Sequence, residues 1–151
     1  MIDEFNIRNS PIHNAQTKIQ KSDMPANILI ADDYEDNREV LRLMLEMVGH
    51  RVREARDGRE CVRLAQLELP DLFLIDLSMP VLDGWGTLDE LRADARTRHI
   101  PCVAITAYAD PERERTFENG FDAYLTKPFR FKDLIDTVAR LLAEHQSKEN
   151  I

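Results

Sequence analysis

Five short apolar runs, spaced by segments of helical period, narrow what this chain can fold into more than any other feature. NILIADD (27–33), HRVREAR (50–56), DLFLID (71–76), IPCVAIT (100–106) and DAYLT (122–126) are too short for core helices, and all but the second are strongly apolar. Between them the apolar period changes. Residues 35–48 carry Val40, Met44 and Val48 on one stripe with Leu41 and Leu45 beside it, and Gly49 follows. Gly58 to Leu69 turns Val62, Ala65 and Leu69 inward, with Pro70 beyond, and residues 84–94 carry Trp85, Leu88 and Leu91. Asp110-Pro111 reads as an N-cap and first-turn proline of a helix that Gly120 ends. Phe131 to Leu142 places Leu134, Ile135, Val138, Leu141 and Leu142 on one face.

Apolar runs buried on both faces and joined through helices form parallel strands with right-handed crossovers. The pattern predicts a doubly wound α/β fold, a five-stranded parallel sheet with helices on both faces. HRVREAR, the weakest run, belongs near an edge. In such sheets ligands gather beyond the carboxyl ends of the strands.

Charge limits the partners. The chain has 28 acidic against 20 basic residues, a net charge of −8. That argues against nucleic acid, whose phosphates need a basic surface, and against an anionic membrane. No stretch approaches the roughly 20 apolar residues of a membrane span. The N-terminus has no basic start and apolar core of a signal peptide, so the expected location is cytoplasmic. Cys61 and Cys102 read as reduced core thiols, and no Cys/His cluster suggests zinc. Residues 1–26 are polar and aperiodic, and read as a flexible tail or a docking segment. Residues 27–145 form the domain, and 146–151 a short frayed end.

Strand ends carry the chemistry. The first run ends in Asp32-Asp33, the third in Asp76 and the fourth in Thr106, and the fifth leads to Lys127. No glycine-rich phosphate loop follows the first strand. Three converging carboxylates need a cation, since each like-charge pair at about 4 Å costs roughly 1 kcal/mol in water and several times more when partly buried. Oxygen-only ligands suit Mg²⁺, with Mn²⁺ as a substitute. One carboxylate then remains a nucleophile, while Lys127 and the Thr106 hydroxyl can hold phosphoryl oxygens. The set fits phosphorylation of an aspartate.

In order, Asp32-Asp33, Asp76-Leu-Ser-Met79-Pro80-Val-Leu-Asp83-Gly84, Thr106-Ala107 and Lys127-Pro128-Phe129 resemble the receiver domain of two-component response regulators, over residues 27–145. That resemblance implies a flavodoxin-like sheet in the order 2-1-3-4-5 and Asp76 as phosphoacceptor. It implies Mg²⁺ held by Asp33, Asp76 and the backbone carbonyl of Ser78, with Asp32 acting through a bound water, and a cis Lys127–Pro128 bond. Thr106 and Tyr124 would form a switch read by the helix over 110–120, the fifth strand and the final helix. It further implies a phosphoacceptor rather than an enzyme, loaded by a histidine kinase or a histidine phosphotransfer protein. Output would come through a protein target or a phosphorelay without a DNA-binding domain, as a monomer or a phosphorylation-dependent homodimer.

Plainer readings stand beside these. Asp32-Asp33 also suits a helix cap, Thr106 an ordinary strand position, Tyr124 a half-buried aromatic, and Trp85 core or rim packing. His13, His50, His99 and His145 fall away from the strand ends. Two rival functions are a phosphorylation-independent adaptor and an aspartyl-phosphate phosphatase. The complete acidic set argues against the first. Ser78, where such phosphatases carry a second acid, argues against the other. Ser78 and Tyr108 flank the path of a hydrolytic water without a group to orient it, which predicts slow self-dephosphorylation.

Overall fold

The computed structural model describes residues 25–107 and 120–149, with side chains to residue 147. Five parallel strands, β1 (Asn27–Ala31), β2 (Arg51–Ala55), β3 (Leu72–Asp76), β4 (Cys102–Thr106) and β5 (Ala123–Thr126), form one sheet in the order 2-1-3-4-5. The described helices are α1 (Glu35–Met47), α2 (Gly58–Leu67), α3 (Gly84–Ala93) and α4 (Phe131–Glu149). The expected helix over 110–120 and most of the expected tail, residues 1–24, lie outside the described residues.

Alternation along the strands divides the core in two. Ile28, Ile30, Leu72, Leu74, Val103, Ile105, Ala123 and Leu125 face one way and pack with Leu41 and Leu45 of α1 and Leu134, Val138 and Leu141 of α4. Leu29, Ala31, Phe73, Ile75, Cys102 and Ala104 face the other way, against Cys61 and Ala65 of α2 and Leu88 and Leu91 of α3. Every residue of β3 and β4 is buried, which is why those runs are continuously apolar. β2 lies at the sheet edge, where a strand with one covered flank tolerates Arg51, Arg53 and Glu54. Burial pushes both thiol pKa values up, that of Cys102 to about 12, so neither cysteine is a ready nucleophile.

Helix ends follow local chemistry. Asp57 caps α2 by accepting from the Glu60 amide at 2.8 Å, and Asp83 caps α3 by accepting from the Gly86 amide at 2.8 Å. Gly49, with φ +96°, closes α1 as the amide of His50 returns to the Leu45 carbonyl.

Three expectations change. Val40 is half exposed, and the buried arc of α1 runs through Arg38, Leu41, Leu45 and Val48. α2 stops at Leu67 because the chain turns extended at Glu68 toward Pro70, leaving Leu69 on the surface. α4 continues to Glu149, past the expected end at Leu142 and through most of the segment taken as a frayed end. No proline or glycine interrupts residues 143–149.

A Cβ at Gly58 would lie 2.0 Å from Thr87 Oγ1 and 2.4 Å from the Leu82 carbonyl oxygen. Gly58→Ala must therefore push α2 off α3. Chemical denaturation should show a loss of about 2–3 kcal/mol, the usual cost of overpacking a close contact.

Candidate functional site

Register brings the strand ends level. Ala31 pairs with Ile75, Asp76 with Ile105, and Thr106 with Thr126, so Asp32, Asp76, Thr106 and Lys127 emerge side by side. One oxygen each from Asp32, Asp33 and Asp76 lie within 4.8 Å of one another. Asp32 and Asp76 are buried and Asp33 is exposed. Lys127 Nζ stands 3.4 Å from Asp32 Oδ2 and 3.6 Å from Asp76 Oδ2. The Lys127–Pro128 bond is cis.

Each acid is held differently. Asp32 accepts from the Tyr34 amide through Oδ1 at 2.9 Å, and its backbone carbonyl accepts from Arg38 Nη1 at 2.8 Å. The capping reading is not realised: Asp32 bonds the amide of Tyr34, which precedes α1, and no side chain caps that helix start. Asp76 Oδ1 accepts from the Ser78 amide at 3.0 Å. Burial pushes the Asp76 pKa upward. The Ser78 amide and Lys127 oppose that shift, and Asp32 and Asp33 add to it. One lysine does not balance three carboxylates. An oxygen-only, anionic donor set with a single exposed member fits a hard divalent cation reached from solvent.

The segment after Asp76 is tightly built. A Cβ at Gly84 would lie 2.6 Å from the Asp76 carbonyl oxygen and 2.7 Å from Leu77 Cα, so only glycine lets α3 start against the end of β3. Val81 has φ +70° in a turn closed by the Leu82 amide on the Pro80 carbonyl at 2.8 Å, an unfavourable backbone for a β-branched residue.

A cleft of about 390 Å³ opens here, and its lining includes Tyr34, Asn37, Asp76, Ser78, Trp85 and Lys127. Asp83, Thr106 and Ala107 complete much of the wall. Wider hollows of about 570 and 650 Å³ lie at the amino ends of the strands, around His99, Pro101 and His145, away from the converging acids.

The structure therefore brings together Asp32, Asp33, Asp76, Ser78, Thr106 and Lys127. Tyr124 sits half-buried in β5, packed on the α2–α3 side of the core and outside the cleft lining. Trp85 packs edge-on against Phe121, with centroids 5.6 Å apart, and lines the cleft, so it serves as both core and rim packing. Tyr108 lies outside the described residues. Sequence reasoning missed Tyr34, Asn37 and Arg38. Arg38 left a signal, a charged residue on the same helical arc as Leu41 and Leu45.

A family model described as the response regulator receiver domain matches residues 28–139. Polar-differentiation response regulator DivK of Brucella anthropi is 34% identical over 122 residues, 80% of this chain and 99% of its own length. Among solved structures, the signal receiver domain of a histidine kinase from Syntrophus aciditrophicus is 36% identical with a TM-score of 0.74, covering 79% of this chain and 91% of that one. The receiver domain of a sensor histidine kinase from Pseudomonas aeruginosa PAO1 is 34% identical with a TM-score of 0.74, covering 80% and 99%. That structure has a magnesium ion coordinated in its active site cleft.

An acid whose folded pKa is raised holds its proton more tightly when folded, so stability is lost as pH rises from the ordinary carboxyl range through the folded pKa. Asp76→Asn removes that charge and keeps an acceptor for the Ser78 amide. In chelator at pH 7 the variant should melt about 3 °C above wild type. Thermal melts with added Mg²⁺ should narrow or reverse the gap, because the cation stabilises the wild type more.

Proposed function

The chain belongs to the response regulator receiver domain family, and from that premise we infer that it accepts a phosphoryl group on Asp76 from a phosphohistidine. The observation that carries this reading is the placement of Lys127 Nζ 3.6 Å from an Asp76 oxygen at the end of a buried strand, beside two further carboxylates. In the transfer an Asp76 oxygen forms the new O–P bond. The donor's P–N bond breaks, and its electron pair leaves with the imidazole.

Asp33, Asp76 and the Ser78 carbonyl would hold Mg²⁺, or Mn²⁺ in its stead, and the bound cation would neutralise charge between the acceptor and the incoming phosphoryl group. Asp32 takes an outer role acting through a water. Both of its oxygens already accept, from the Tyr34 amide and from Lys127. Lys127 meets one phosphoryl oxygen with its ammonium, and the Thr106 hydroxyl donates to another. Thr106 drawn toward the phosphoryl group leaves space that Tyr124 takes, and this changes the face built by residues 110–120, β5 and α4. Output is binding of a protein target or onward phosphotransfer in a relay. The receiver unit spans residues 27–145 and works in the cytoplasm beside its histidine kinase or histidine phosphotransfer protein. It serves as an acceptor rather than as an enzyme acting on a separate substrate.

The rival phosphatase reading is weakened by Ser78, which offers no carboxylate to act as acid or base. The same residue supports slow loss of the phosphoryl group, since a short hydroxyl orients an attacking water poorly.

Labelling with a small-molecule phosphodonor, followed by intact-mass measurement, tests the reading. Wild type should gain one phosphoryl group with Mg²⁺ and none in chelator, and Asp76→Asn should stay unlabelled. Lys127→Ala should label at least about 100-fold more slowly, as for loss of one group that stabilises transition-state charge. Labelled Asp76→Asn would remove Asp76 from its role. Ser78→Asn should shorten the phosphoryl lifetime in the same assay, and an unchanged lifetime would refute the account of Ser78.

A further inference from the structure

The main chain of Asp32 is anchored from below by a charge that no strand pairing requires. β1 ends at Ala31, and the Asp32 amide makes one more bond, to the Ala55 carbonyl at 3.1 Å. The Asp32 carbonyl takes Arg38 Nη1 at 2.8 Å. Arg38 is 8% exposed, one turn into α1. Its Nε lies 3.3 Å from Glu54 Oε1 without a directed hydrogen bond. Arg42 Nε holds the other Glu54 oxygen at 3.2 Å and Arg42 Nη1 reaches Glu46 at 3.3 Å, so Glu54 is fixed from two sides.

We propose that Arg38 is a positioning residue for the divalent-cation site, acting through the Asp32–Asp33 peptide. The inference rests on the phosphoacceptor reading above. A peptide unit is planar, so holding the Asp32 carbonyl also fixes the orientation of the Asp33 amide. That leaves less freedom in how the Asp33 side chain is presented, and Asp33 is the exposed acid of the three. Arg38 thereby links β1, α1 and the edge strand β2 to the aim of two carboxylates through the main chain.

Charge and positioning give opposite signs here. A buried guanidinium beside a cation site repels the cation, so deleting it on electrostatic grounds alone tightens Mg²⁺ binding. A positioning role means that deleting it weakens binding, because groups that orient metal ligands typically contribute 10–100-fold in affinity.

The test is calorimetric titration of the full chain with MgCl₂ alone, with Trp85 fluorescence as a second readout. Arg38→Met, folded by circular dichroism, should bind Mg²⁺ about 10-fold more weakly than wild type. Arg38→Lys keeps the charge and loses the fork, and it should also bind more weakly. Tighter or unchanged binding by Arg38→Met would overturn the proposal. Should Arg38→Met fail to fold, Arg38→Lys decides, and wild-type affinity in that variant overturns it. Asp33→Asn runs beside them and should abolish binding. A wild type that binds no Mg²⁺ sinks the phosphoacceptor reading, and this inference falls with it, whereas normal wild-type binding with unaltered Arg38 variants sinks this inference alone.

Discussion

Repulsion among Asp32, Asp33 and Asp76 is the constraint around which this structure is arranged. Three carboxylate oxygens within 4.8 Å of one another are unfavourable in a partly buried setting, and burial keeps Asp32 and Asp76 from being screened by water. Lys127 relieves part of that strain from just past β5, the Tyr34 and Ser78 amides relieve more, and the remainder creates a demand for an external cation. Burial pushes the Asp76 carboxyl upward in pKa, and Asp32 and Asp33 add to that shift.

Such a cluster survives only on a stiff frame. β3, which carries Asp76, is buried along its whole length between two apolar layers, one built with α1 and α4 and the other with α2 and α3. Close-packed interiors resist local adjustment, so the carboxylates cannot drift apart to lower their energy. Gly84 tightens the frame further by letting the backbone of α3 abut the end of β3.

Most of the fold was legible because burial on both faces leaves an unmistakable record. LFLID and CVAIT have no polar position before their last residue, and parallel order follows from the helices between them. The acids, Thr106 and Lys127 were legible as strand-end residues, since a parallel sheet gathers those ends. What sequence hid was decided by rotation and by neighbours. Val40 and Leu41 are adjacent, and only the docked angle of α1 exposes the first and buries the second. Arg38 looked like one more surface arginine, because its partners are a main-chain carbonyl and a glutamate from a different strand.

The edge strand β2 bears on how this molecule meets others. Its sequence, Arg51-Val52-Arg53-Glu54-Ala55, sets charges along an unpaired flank whose backbone groups would otherwise template a foreign strand. Desolvating those arginines and Glu54 opposes strand addition at that side. Association by extending the sheet there is discouraged, and docking is steered toward helical surfaces and the cleft mouth. Charge on β2 thus protects the protein from indiscriminate stacking at high concentration.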